Sequence, residues 1–115
     1  MGKDDLLGSL EQELRRGTLV LCTLGLLRRP MYGYHLVSTL AQKGIPVEAG
    51  TLYPLLRRLE GQGLLHSVWE TDGAKPRKYY SLTPEGAVVY RQLQEQWKQL
   101  SHSVEEIEKE AKNDL

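Results

Sequence analysis

The chain has 115 residues, enough for one domain with a modest core. It carries 15 Lys and Arg against 15 Asp and Glu. A zero formal charge excludes a uniformly basic protein, and 40% apolar with 26% charged residues excludes a disordered chain. The charge is nonetheless uneven. Between Arg28 and Arg58 stand Arg28, Arg29, Lys43, Arg57 and Arg58 against Glu48 alone. From Glu105 onward, five acids face two lysines. The one cysteine, Cys22, permits no intrachain disulfide and fits a reducing, cytoplasmic setting. No signal-peptide layout is visible at the N-terminus, and the longest apolar run, Thr18–Leu27, is too short to span a membrane.

Leu6, Leu7, Leu10 and Leu14 are spaced for a helical stripe over about Asp4–Arg15, with Gly17 expected to end or bend it. This segment, residues 1–16, has no core of its own and needs another surface to cover. Thr18–Arg29 reads as a buried central helix stopped by Pro30. After a short loop, Tyr34, Leu36, Val37, Leu40 and Ala41 define an amphipathic helix over about Tyr32–Lys43, closed by Gly44 and Pro46.

Leu52, Leu55, Leu56 and Leu59 fall at i, i+3, i+4 and i+7 of the next helix, which begins near Glu48 or at Thr51. A start at Glu48 puts Pro54 inside the helix and predicts a kink. Thr51, Tyr53, Arg57 and Arg58 occupy the outer face, which holds no acid. Beyond Gly61 and Gly63 the period changes to two. Leu65, Ser67, Trp69 and Thr71 alternate with Leu64, His66, Val68 and Glu70, a strand pattern in which Trp69 is expected to pack. Thr71–Pro76 is a turn cluster with Asp72-Gly73 at its centre, the dipeptide most typical of tight hairpins. A second strand, Arg77–Leu82, follows; Lys75, Arg77 and Lys78 make the hairpin tip and its return basic.

Thr83-Pro84-Glu85 reads as N-cap, first helical residue and acidic first turn. A helix then runs to about Lys112. Its apolar residues Tyr90, Leu93, Trp97, Leu100, Val104, Ile107 and Ala111 recur at steps of three and four, a heptad seam. Such a helix outreaches a domain of this size, so residues 84–115 are expected to join two copies in a C2 dimer. Leu10 and Leu14 are expected to pack across Leu93, Trp97, Leu100, Val104 and Ile107 there.

Three helices, a basic-tipped hairpin and a further helix define a winged helix-turn-helix over residues 17–83, mainly α with a small β-hairpin. A helix of this kind fits the major groove of duplex DNA. The DNA-facing set is then Thr51, Tyr53, Arg57 and Arg58 on the recognition helix, with Lys75, Arg77 and Lys78 over phosphates. No enzymatic constellation, metal-ligand spacing or phosphate-binding glycine loop is present, so neither catalysis nor a cofactor is expected. His35, His66 and His102 are expected at the surface. The rival reading is a winged helix used only for protein contacts.

Several stretches also resemble the PadR-like transcriptional regulators: Leu14-Arg15-Arg16-Gly17-Thr18-Leu19, Tyr32-Gly33-Tyr34, Gly50 through Glu60, Gly63-Leu64-Leu65, and Arg77 through Gly86. The resemblance covers about three quarters of the chain, from Leu14 to Leu100. The single terminal helix is similar to the short branch of that family. The resemblance implies a cytoplasmic homodimer, usually a repressor, acting at an inverted-repeat operator. It adds Tyr32 and Gly33 to the DNA-facing set. It also implies that Trp97, flanked by Leu93 and Leu100, stacks on flat aromatic effectors at the dimer interface.

Overall fold

A computed structural model describes residues 2–114. Its elements in order are α1 (Lys3–Leu26), β1 (Met31–Tyr32), α2 (Gly33–Gln42), α3 (Ala49–Gly61), β2 (Leu65–Glu70), β3 (Arg77–Leu82) and α4 (Pro84–Asp114). The core is almost wholly leucine. Leu24 and Leu27 from the end of α1 meet Leu36 and Leu40 of α2, the four leucines of α3, Leu65 of β2 and Tyr80 of β3. The α3 stripe has the burial its spacing predicts, with Leu52 and Leu56 sealed from water.

Both helices of the helix-turn-helix end in the same way. Gly44 and Gly63 take positive φ values of 84° and 81°. That conformation lets the Ile45 amide reach back to the Leu40 carbonyl at 2.8 Å and the Leu64 amide to the Leu59 carbonyl at 3.0 Å. These are Schellman closures, which satisfy carbonyls left open at a helix end. At the start of α4 the Thr83 hydroxyl accepts a hydrogen bond from the Gly86 amide (3.0 Å). It donates to the Gly63 carbonyl (2.6 Å). The cap therefore also pins α4 to the end of α3. Gly86 is buried against the Leu64 carbonyl, where any Cβ would collide with backbone.

The structure departs from the sequence expectations in several places. First, α1 is one helix of 24 residues that passes through Gly17 without ending. A glycine in a helix costs about 1 kcal/mol relative to alanine, and the buried Thr23–Leu27 segment anchors the helix against that penalty. Second, Met31–Tyr32 is a strand, neither loop nor helix. It pairs antiparallel with Tyr80 and Tyr79 of β3, so the sheet has three strands in the order β1-β3-β2. Third, Glu70 pairs with Arg77, so the connection is the turn cluster Thr71–Pro76 as expected, but its Asp72-Gly73 centre does not form the tight turn that dipeptide favours. Gly73 has no positive φ, so the mirror-image turn that makes two-residue hairpins is not formed. Of the two starts open to α3, the structure takes the one at Glu48: the helix begins at Ala49 with Glu48 as its N-cap, and Pro54 lies inside it. The Gly50 carbonyl is thereby denied its usual partner.

Beyond the core, both long helices run free. The first half of α1 exposes Leu6, Leu7, Leu10 and Leu14, and α4 exposes Trp97, Leu100, Val104 and Ile107. The inner ends of the two helices meet at Gly25, where an added Cβ would lie 2.7 Å from the Tyr90 hydroxyl. The missing side chain is what lets the Tyr90 ring lie on α1. Tyr90 and Leu93 accordingly pack on their own domain.

Candidate nucleic-acid interface

Six of the nine expected DNA-facing residues come together in one cleft. An open cleft of about 370 Å³ lies between α3 and the β2-β3 wing. Tyr32, Gly33, Tyr53, Arg57, Arg77 and Lys78 all line it. No acidic side chain is among the lining residues. Arg58 and Lys75 are exposed but lie outside the cleft, on α3 and on the wing loop. Thr51 faces a different depression, shared with Arg15, Arg16 and Val47.

Local packing orients this set. Gly33 is buried at the start of α2, and the Tyr53 ring occupies the space where a side chain would be. Gly33 therefore seats Tyr53 and has no side chain of its own to offer. The Tyr32 ring packs edge-on against Tyr79 at 5.6 Å. The Arg77 guanidinium lies over the opposite part of this cluster, 4.6 Å from the Tyr32 ring centre. A cation over an aromatic face is held by the ring quadrupole, so β1 fixes the direction of the wing arginine.

Lys78 is differently placed. Its ammonium lies 3.8 Å from the Glu60 carboxylate and 5.4 Å from the Tyr80 ring centre. Glu60 also accepts a 2.5 Å hydrogen bond from Ser67. One carboxylate at the end of α3 thus ties down both strands of the wing. Sequence reasoning did not single out Glu60, since an acid closing an amphipathic helix carries no signal of its own. The sequence expects Trp69 and Tyr34 to pack, and the structure overturns this. They are 60% and 70% exposed, and both line the cleft.

A second groove, about 360 Å³, lies between α1, the end of α2 and α4. Trp97 lines it with Cys22, Leu26 and Tyr90, whereas Leu93 and Leu100 do not. Burial raises the Cys22 thiol above its ordinary pKa, which disfavours the reactive thiolate. His35, His66 and His102 are exposed, as expected. His66 lies 3.1 Å from the Ser81 hydroxyl. Among the described residues no cluster of His, Cys, Asp or Glu is suited to a metal. No helix of the described residues is long and apolar enough to cross a membrane.

A helix-turn-helix followed by a sheet wing that shares a cationic cleft with the second helix defines the winged-helix class. Residues 20–92 match the transcriptional regulator PadR-like family, and the chain belongs to that family. It is 34% identical over 74 residues to transcriptional regulator Rv3488 of Mycobacterium tuberculosis, covering 64% of this chain and 69% of that protein. It is similar to the crystal structure of a PadR family transcriptional regulator from Eggerthella lenta. There the TM-score is 0.85 at 56% identity, over 90% of this chain and 93% of the other. Bacillus subtilis PadR, solved in complex with operator DNA, gives a TM-score of 0.61 at 26% identity. That match covers 66% of this chain and 45% of the Bacillus chain.

Proposed function

We propose that the chain is a homodimeric repressor that binds an inverted-repeat DNA operator and is released by a small apolar or aromatic effector. The observation that carries the DNA-binding part is the acid-free cleft between α3 and the wing, with Arg57 and Arg77 on its walls. α3 enters the major groove with Tyr53 and Arg57 toward base edges, Arg58 binds phosphate, and Thr51, which faces the separate depression beside Arg15 and Arg16, is left out of the base-reading pair. Lys75 and Arg77 take phosphates from the wing. Tyr32 and Gly33 border the same strand, and Lys78 adds a cation held back by Glu60. The operator complex of Bacillus subtilis PadR supports this reading.

The dimer reading rests on the two exposed apolar arms, Leu6–Leu14 on α1 and Trp97–Ile107 on α4. Each is too apolar to remain solvated in a regular amphipathic helix. Covering them with a second copy brings Leu10 and Leu14 against Leu93, Trp97, Leu100, Val104 and Ile107. An effector in the groove beside Trp97 changes the angle between the copies. Repression is relieved because the effector prefers the DNA-free geometry.

The test is fluorescence anisotropy with a labelled duplex from upstream of the chain's own gene, across a salt series. Selective binding whose logarithm falls linearly with log salt is expected. Binding absent even at low salt would assign the winged helix to protein contacts instead.

A further inference from the structure

The inner face of the wing runs Leu65, Ser67, Trp69 along β2 and Leu82, Tyr80, Lys78 along β3, with Trp69 directly opposite Lys78. Leu65 and Tyr80 are buried at 2% and 6% exposure. Glu60 covers the next step by binding Ser67 and Lys78. One step further along the strand, Trp69 is 60% exposed. A large indole so open to water is not core, and it lies far in the fold from the apolar arms of α1 and α4. It lines the same cleft as Arg57, Arg77 and Tyr34, with no acid among the lining residues.

We infer that Trp69 is a DNA-contacting residue whose indole lies against the deoxyribose rings of the strand running between α3 and the wing. The inference rests on the DNA-binding reading above and adds an apolar contact to a set otherwise made of charges and phenols. The chemistry of the cleft selects this occupant. Cations without any acid call for a polyanion, and an exposed indole among them calls for an apolar surface between the anionic groups. A sugar–phosphate strand offers both at regular spacing. Arg57 belongs at once to the cleft and to the exposed face of α3, so a strand bordering the groove that α3 occupies passes Trp69. The indole carries no hydrogen-bonding code for bases in this position. Its contribution is therefore independent of sequence and of salt.

The test uses the full chain with Trp97→Phe, which leaves Trp69 as the sole tryptophan. The protein is titrated at low salt with the upstream duplex and with a scrambled duplex of equal length. Quenching of Trp69 emission by both is expected. In parallel, Trp69→Ala in the otherwise unchanged chain weakens both duplexes by roughly tenfold, the scale for covering half an indole. Its slope of log affinity against log salt stays unchanged, because no charge is lost. Arg77→Ala, by contrast, lowers that slope by about one. Trp69→Phe, which keeps an apolar ring, recovers most of the loss, separating contact from misfolding. Duplex binding with silent Trp69 emission and unaltered affinity in Trp69→Ala overturns the inference while the DNA-binding reading stands. A loss confined to the upstream duplex also overturns it, since Trp69 would then read base edges. Emission that changes with protein concentration in the absence of DNA gives the cleft to a second copy or another protein surface, with the same consequence. No binding of either duplex at any salt defeats the DNA-binding reading itself, and this inference with it.

Discussion

The leucines of α3 and the leucines at the start of α1 each form a helical stripe and have opposite fates. Leu52, Leu55, Leu56 and Leu59 are at most 8% exposed, whereas Leu6, Leu7, Leu10 and Leu14 are at least 52% exposed. α3 lies between α2 and the sheet, which close over its apolar stripe. In the first half of α1, the leucine stripe stays open to water among the described residues. Periodicity therefore tells that a helix has a face to cover and not which molecule covers it.

Mutation separates the two regions most sharply in the core. Leu56→Ala is expected to lower stability by about 2–5 kcal/mol in urea unfolding, the usual range for a sealed leucine. A smaller loss would mean that the core relaxes around the gap. Ile107→Glu on the arm is expected to leave the helical circular dichroism of concentrated samples largely intact and to shift sedimentation equilibrium toward single chains. Should it unfold the protein at every concentration, the arm belongs to the core after all. Within the core itself, the Thr23 hydroxyl is buried with no hydrogen-bond partner among the described residues. Thr23→Val keeps the branched shape and removes that polar atom, so a gain of about 1 kcal/mol is expected; a loss would reveal a partner for the hydroxyl. The smallest effect concerns Cys22, between the two regions. Its pKa is raised by burial in the folded chain. As pH climbs through the ordinary thiol range, the unfolded chain ionises first and stability falls. Cys22→Ala is expected to flatten this decline relative to the parent, measured by thermal unfolding across alkaline pH.

Much of the architecture is legible in the residues. The α3 stripe, the capping triplet Thr83-Pro84-Glu85 and the change of period after Gly63 suffice to place a winged helix. What escapes has physical reasons. A two-residue strand such as Met31–Tyr32 has no period to read, and only its pairing with Tyr79 and Tyr80 defines it. Gly17 looks like a stop because glycine is a weak helix former, but tertiary anchoring at Leu24 and Leu27 outweighs local propensity. For Trp69, alternation correctly assigns the inner face of β2 and is silent about where that face leaves the core. The cationic members of the site, Arg57 and Arg77, can be named from the sequence. The aiming of Arg77 cannot, because it depends on Tyr32 from a strand that sequence does not reveal.

The unbroken course of α1 has a mechanical consequence. With 24 residues in one helix, it is a rod about 36 Å long with no joint between its exposed start and its buried end. Its last turn is built into the frame, because the Leu27 carbonyl that follows it accepts a hydrogen bond from the Leu82 amide at 2.9 Å. Tilting such a rod by about 10° sweeps its far end through about 6 Å, more than one helical turn. The exposed arm and the frame that holds the last turn of α1 are thus rigidly joined, and whatever sets the pose of one sets the pose of the other.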